Sequence, residues 1–343
     1  MQRICINGRD VDKYSLNSCN ISPELQEFLR EWWSDSPGIQ LQTSGSTGTP
    51  GVFTAARSDL LLSAKRTCAV FRLDHNSQAL LCLPLRYIAG KMMVVRALVS
   101  GMNLRTTPPC STPLADIQES VDFAALVPLQ AATTIAEENG IQQLAKARTI
   151  LLGGGFIDPV LEENLQSCPS AIYASYGMTE TLSHIALRMV NGPHRSPYYT
   201  PLPGIKTELS ARGTLIIHTP YSTASVVETN DLAELRPDGS FCILGRVDSV
   251  INSGGIKIQA EEVEMHLTAR TGLQLAVVPQ PHPRLGQSIA LLWEGPSAAV
   301  SDLTAAIATL PKYHKPLTII HCTLPRTATG KINRAACKAL ANR

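Results

Sequence analysis

The sequence contains no Cys-x-x-Cys pair. Its nine cysteines, at positions 5, 19, 68, 82, 110, 168, 242, 322 and 337, are scattered over 343 residues. That spacing excludes a zinc ribbon and a thioredoxin-type redox site. An odd count in a chain of this size reads as reduced thiols and a cytoplasmic location. His194, His218, His266, His282, His314 and His321 show no metal-ligand spacing. Charge of one sign is also missing: 30 Lys and Arg stand against 28 Asp and Glu, a net +2. This removes the electrostatic case for a nucleic-acid partner. No run approaches the roughly 18 apolar residues of a membrane span. The longest apolar segment, Ala79 to Leu85, has strand length and includes Pro84. Met1 to Asp10 lacks the apolar stretch of a secretory signal. Internal repeats and low-complexity tracts are absent.

What is there is globular in kind, with 44% apolar and 17% charged residues. The length suits two domains, or one large domain with an appendage. Leu25, Phe28, Leu29 and Trp32 lie at helical spacing and predict a helix over Pro23 to Trp33. Ile39 to Leu41 reads as a strand stub, and Ser58 as the cap of a helix reaching Phe71. From residue 79 to about 190, short apolar runs (Ala79–Leu83, Ala124–Val127, Thr149–Leu152, Ala171–Ser175) alternate with helical stretches at 90–100, 128–139 and 158–166. That alternation predicts an α/β fold with a mostly parallel, helix-covered sheet. Thr207–Leu209, Thr214–His218, Leu232–Glu234 and Phe241–Leu244, with a Pro237-Asp238-Gly239 turn, form a small antiparallel β unit. After Arg246–Asp248 a compact α+β module follows: helix 260–270, strands 274–278 and 288–293, helix 301–310 and strand 317–322. The expected domains are therefore 1–246 and 247–343.

Four segments carry candidate chemistry. Thr43-Ser44-Gly45-Ser46-Thr47-Gly48-Thr49-Pro50-Gly51 is dense in hydroxyl and N–H donors, as phosphate-wrapping loops are. No Lys follows Gly48 or Gly51, so it is not the kinase-type P-loop. By composition alone it is equally a solvated turn. Tyr176-Gly177-Met178-Thr179-Glu180-Thr181 follows a predicted strand. It offers a ring face, a hydroxyl and a carboxylate suited to base, phosphate and Mg²⁺, or else a strand-to-helix cap. The third set is Asp231, Gly245-Arg246-Val247-Asp248 and Ser253-Gly254-Gly255. The fourth is Pro325-Arg326-Thr327-Ala328-Thr329-Gly330-Lys331. Singly, each is an everyday surface feature.

In this order the set resembles the adenylate-forming superfamily: acyl- and aryl-CoA synthetases, peptide-synthetase adenylation domains and luciferases. The resemblance runs from about residue 39 to the C-terminus. Within it, Leu83-Pro84-Leu85-x-x-x-x-Gly90, Arg96 and Ser183-His184-Ile185-Ala186-Leu187-Arg188 are most similar to the o-succinylbenzoate–CoA ligases of menaquinone biosynthesis. The resemblance implies activation of a carboxylate by ATP and Mg²⁺ to an acyl-AMP, with release of pyrophosphate, and then transfer to CoA. It assigns Thr43, Ser44, Gly45, Ser46, Thr47 and Gly48 to the β- and γ-phosphates. Thr179 goes to the α-phosphate and Glu180 to Mg²⁺. Tyr176, Gly177 and Gly153-Gly154-Gly155 surround adenine. Asp231 and Arg246 hold ribose, Asp248 is the hinge of a rotating C-terminal domain, and Lys331 bridges carboxylate and α-phosphate. Ser253, Gly254 and Gly255 line the CoA arm. For the acid's second carboxylate it points to Arg96, with Arg86, Tyr87, Lys91, His184 and Arg188 in reserve.

The chain departs from the pattern at Gly51, where a phosphate-facing Lys is usual, and at Tyr87, where a His is usual. The region before the phosphate loop is also expected to be shortened. Other acids, a carrier-protein acceptor, a homo-oligomer and a non-catalytic nucleotide-binding protein stay open at this level.

Overall fold

The computed structural model describes residues 3–42, 52–327 and 331–342. The chain opens with strands β1 (Arg3–Ile6) and β2 (Arg9–Asp12) and helix α1 (Pro23–Trp33). Ser22 caps α1 by accepting from the Leu25 N–H, and Pro23 fills the first helical position. β3 (Gly38–Gln42) and β4 (Val52–Ala56) pair antiparallel. They flank the Thr43–Gly51 segment, which lies outside the described residues. α2 (Arg57–Phe71) follows, with Ala56 in the cap position. Ser58 therefore lies inside the first turn rather than capping it.

β5 (Gln78–Leu81), α3 (Ile88–Ser100), β6 (Asn103–Thr106), β7 (Val121–Leu126), α4 (Pro128–Ala136), α5 (Gly140–Leu144), β8 (Ala147–Leu152), α6 (Pro159–Asn164), β9 (Ala171–Met178), β10 (Ser183–Met189) and β11 (Thr200–Pro201) complete the large sheet and its covering. Its strand order is β11-β10-β9-β8-β7-β5-β6-β1-β2. The pairs from β9 across to β1 are parallel. β10 and β11 at one edge and β2 at the other add antiparallel. β7 and β8 are buried along nearly their whole length, as strands covered on both faces must be. Gly90 explains the Leu-Pro-Leu-x4-Gly spacing: a Cβ there would stand 2.5 Å from the Pro84 carbonyl oxygen. Only glycine lets α3 start so close to that turn.

β12 (Lys206–Leu209), β13 (Thr214–His218), β14 (Val226–Leu235) and β15 (Phe241–Arg246) form the antiparallel unit. Beyond it come β16 (Val250–Ser253), β17 (Ile256–Gln259), α7 (Ala260–Thr271), β18 (Gln274–His282), β19 (Gly286–Glu294), α8 (Val300–Ala308), β20 (Thr318–His321) and α9 (Arg334–Ala341). The sheet runs β17-β16-β19-β18, with β20 parallel to β19. β18 and β19 alternate between two cores. Leu275, Val277, Leu291 and Trp293 join Val263 and Leu267 of α7, while Ala276, Val278, Ala290 and Leu292 join Cys337 and Ala341 of α9. The first core runs from Ile4 to Phe241, and the other two begin at Ile251 and Ala276. No described helix is long and apolar enough to cross a membrane.

Candidate active site

β7 and β8 end in register, at Leu126 and Leu152, while β9 runs on past Ala174, the partner of Leu152, to Met178. The crevice beyond the carboxyl ends of parallel strands is the usual ligand site of such sheets. Gly153, Gly154 and Gly155 leave β8 at this edge. A Cβ on Gly153 would meet the Ser175 hydroxyl at 2.5 Å, and Gly154 has φ +75°. Tyr176 and Gly177 belong to β9. The Tyr176–Thr181 segment enters another strand rather than a helix, which corrects the strand-to-helix alternative. The turn is held by Thr181, whose Oγ1 accepts from the Met178 N–H at 3.0 Å and lies 2.7 Å from the Ser183 carbonyl. Leu182 takes φ +63°. A Cβ on Gly177 would lie 2.3 Å from the Ser183 oxygen. The hairpin therefore closes only over glycine, and it carries Thr179 and an exposed Glu180 at its tip.

Asp231 and Arg246 are direct partners across the β14–β15 ladder, so their side chains meet on one face. Arg246 Nη1 donates to Asp231 Oδ1 at 2.9 Å, and the Tyr176 hydroxyl donates to Asp231 Oδ2 at 2.5 Å. Arg246 also grips Asp248 through Nε and Nη2, at 2.9 and 3.0 Å. That bond raises the Arg246 pKa and lowers that of Asp248, against the opposing effect of burial on each. Burial, then the Asp231 charge, raises the Tyr176 pKa, so the phenol stays a donor. Asp231 keeps lone pairs for further donors, because a carboxylate has about four acceptor sites. The Tyr176 ring packs edge-on against Phe241, with centroids 5.1 Å apart.

The candidate acid-binding residues separate into three places. Arg96 is 2% exposed. It donates to the Ser183 hydroxyl at 2.9 Å and faces the Met93 sulfur at 3.4 Å. Its buried Nε has no hydrogen-bond partner, and none of the ion pairs among the described residues includes it. Burial lowers its pKa to about 10, which still leaves it charged at neutral pH. His184 lies beside it. Its Nε2 is 3.3 Å from the Thr67 hydroxyl and its Nδ1 3.3 Å from that of Ser183. Burial, then the Arg96 charge, holds its pKa well below the usual histidine value.

Arg86 and Lys91 line a different recess, of about 390 Å³, with Glu27, Glu31, Gln40 and Val52. Lys91 donates to the Gln40 carbonyl at 2.7 Å, and Arg86 lies over the Tyr87 ring. Arg188 is a correction. Its guanidinium bonds both oxygens of Glu162, at 3.2 and 2.7 Å. A committed, largely buried ion pair leaves it no charge to offer an acid. A larger groove of about 550 Å³, lined by Arg188, Tyr198 and Arg236 among others, shares no residue with the Tyr176–Asp231–Arg246 cluster. Sequence reasoning missed Ser183 as the Arg96 partner, although it lies in a quoted segment, and nothing in the sequence singled out Glu162.

In the C-terminal module, Ser253 is buried, and Gly254 and Gly255 make the β16–β17 turn with φ +60° and +85°. The Gly254 N–H donates to the Leu285 carbonyl. Much of Lys331 reaches solvent, yet desolvation and, after it, the Arg246 guanidinium lower its pKa. The described residues hold no group of three or more His, Cys, Asp or Glu suited to a metal. A Mg²⁺ here would take Glu180 and draw its other ligands from phosphate and water, which is how Mg²⁺ usually binds nucleotides.

A family model described as AMP-binding enzyme matches residues 7–218. The chain is 28% identical over 297 residues to a 2-succinylbenzoate–CoA ligase of Haemophilus influenzae, covering 81% of this chain and 62% of that protein. It thus spans less than two thirds of that relative. The crystal structure of an acyl-CoA synthetase (AMP-forming)/AMP-acid ligase II-like protein from Dyadobacter fermentans aligns with TM-score 0.64 and 33% identity, over 95% of this chain and 97% of that one. The o-succinylbenzoate CoA synthetase of Bacillus subtilis, in complex with its acyl-adenylate intermediate OSB-AMP, aligns with TM-score 0.73 and 22% identity, over 89% of this chain and 69% of that one. With a family model that matches residues 7–218, more than half of its length, the chain belongs to the AMP-binding enzyme family.

Proposed function

We propose that this protein is an ATP-dependent acid–thiol ligase that activates o-succinylbenzoate as its acyl-AMP and passes the acyl group to CoA, as menaquinone biosynthesis requires. The observation that carries the substrate is Arg96: a buried guanidinium with an unused Nε and no carboxylate partner among the described residues. A buried unpaired charge is costly, and an acid bearing a second carboxylate would neutralise it through a charge-assisted bond. Ser183 links it to the hairpin that carries Thr179 and Glu180. The succinyl carboxylate is the one that reacts, and the ring carboxylate the one that Arg96 holds.

The reaction needs positioning and charge neutralisation more than covalent help. Asp231 accepts from the ribose hydroxyls and Arg246 donates to the same sugar, while Tyr176 keeps Asp231 oriented. Gly153, Gly154, Gly155 and Gly177 leave room for the base. Thr179 donates to the α-phosphate, and the Thr43–Gly48 segment wraps the β- and γ-phosphates. Glu180 would hold Mg²⁺, which would supply charge neutralisation at the phosphates. Lys331 donates between the attacking carboxylate and the α-phosphate, so that pyrophosphate leaves as the acyl–phosphate bond forms. Residues 247–343 act as a mobile domain with its hinge at Asp248. Their rotation brings Ser253, Gly254 and Gly255 to the CoA arm for attack of the thiol on the acyl carbonyl. The nine free cysteines fit a reducing compartment.

The test is pyrophosphate release over a panel of o-succinylbenzoate, benzoate, salicylate and octanoate, followed by thioester formation on adding CoA. The aromatic dicarboxylate should turn over fastest. Faster turnover of benzoate or octanoate would remove the substrate assignment and leave acyl adenylation standing.

A further inference from the structure

Lys331 is carried on a short ladder at the base of α9. Thr327 N–H donates to the Lys331 carbonyl at 2.7 Å, Asn333 N–H donates to the Pro325 carbonyl at 2.8 Å, and Arg326 bridges Ile332. Asn333 then caps α9 by accepting from the Ala336 N–H. The next residue, Arg334, starts the helix. Its guanidinium forks onto Glu264 of α7, Nη1 to Oε1 at 2.8 Å and Nη2 to Oε2 at 2.6 Å. Nη1 also reaches the Val277 carbonyl at 3.2 Å, and Glu264 Oε1 accepts from the Val277 N–H at 2.6 Å. Both ends of the pair are therefore tied to β18. At the other end of the same path, Gln259, immediately before α7, donates through Nε2 to the Arg246 carbonyl at 3.0 Å.

We propose that the Glu264–Arg334 pair is a positioning clamp that sets the reach of Lys331 toward the Asp231–Arg246 cluster. It touches no substrate. It fixes the first turn of α9, three residues from Lys331, to the helix that packs on β15. The pair is only partly buried, and such an ion pair contributes little net stability, because desolvation and solvent screening offset its attraction. What it does supply is one geometry for the chain that follows. The inference rests on the adenylation reading above and adds to it the residues that aim the lysine.

The experiment uses the full chain with Arg334→Met, Glu264→Gln and the double variant Glu264→Leu/Arg334→Met. Pyrophosphate release from acid and ATP should fall roughly 10-fold or more, since a misplacement of about 1 Å costs up to about 100-fold. Thioester formation from pre-formed acyl-AMP and CoA should stay within about two-fold of the parent, because that step does not use Lys331. The double variant guards against misfolding, since its melting temperature should match the parent's. A second readout needs no turnover: native-state trypsin cleavage after Lys331, normalised to cleavage after Arg270, should speed up roughly five-fold or more as the ladder loosens. Equal loss in both half-reactions, or unchanged cleavage after Lys331, overturns the clamp. If the parent protein adenylates no acid, the functional reading fails, and the cleavage assay still decides the clamp.

Discussion

Replacing Arg96 by Met separates a substrate-binding arginine from a structural one. In the free protein Arg96 makes one good hydrogen bond, to Ser183 at 2.9 Å, and a weak contact with the Met93 sulfur. Its charge is desolvated without a counter-ion among the described residues, so its net contribution to folding is small or unfavourable. Methionine fills much of the same space without that cost. Arg96→Met should therefore leave the melting temperature unchanged or raise it. With o-succinylbenzoate the effect reverses. A charge-assisted bond contributes about 1.5–3 kcal/mol, so the KM for this acid should rise about 10- to 150-fold. The KM for ATP should hold, and so should turnover of benzoate, which has no second carboxylate. Steady-state pyrophosphate release with both acids, beside a thermal melt, reads all of this. A lowered melting temperature with the acid's KM unchanged would refute the reasoning and make Arg96 a core residue tied to Ser183.

Lys331→Ala should cut acyl-AMP formation by on the order of 10²–10³-fold, the usual loss for a transition-state charge stabiliser. Pre-formed acyl-AMP should still react with CoA at nearly the parent rate, and equal loss in both steps would remove the domain-rotation account. Gly177→Ala should destabilise by about 1–3 kcal/mol in urea titration, because its Cβ would sit 2.3 Å from the Ser183 oxygen and 2.5 Å from His184 Cα; an unchanged midpoint would show that the hairpin yields. His184 is held neutral in the fold by burial and by Arg96, so below its unfolded pKa of about 6.5 the unfolded chain binds the extra proton. Stability should then fall as pH drops through that value, and His184→Gln should flatten this part of a stability-versus-pH curve.

The large sheet was legible because its central strands are continuous apolar runs. Ala147–Leu152 and Val121–Leu126 announce themselves, and their predicted starts differ from the observed ones by only two or three residues. The missed elements lack a period. β1 and β2 are four-residue strands, Arg-Ile-Cys-Ile and Arg-Asp-Val-Asp, and β1 is held by pairing with β6 almost a hundred residues away. β16 and β17 were read only as a glycine strip, since their pairing depends on the two left-handed glycines between them. α9 is short, and it docks through Cys337, Ala341 and the Arg334–Glu264 pair.

The site divides along the same physical line. Tyr176, Asp231 and Arg246 could be assembled from the sequence only by resemblance, because a β14–β15 register and a phenol 55 residues from its acceptor leave no local trace. In the sequence Arg96 stood ahead of Arg86 and Arg188 only by its match to the family pattern. Their difference is wholly three-dimensional. Arg188 has its charge spent on Glu162, Arg86 stands in solvent over Tyr87, and Arg96 is buried with a donor unused. A sequence records that a cation is present, but its counter-charge is set by what the fold brings beside it. An acid substrate is best recognised by the one arginine that the fold has dehydrated and left without a carboxylate among the described residues.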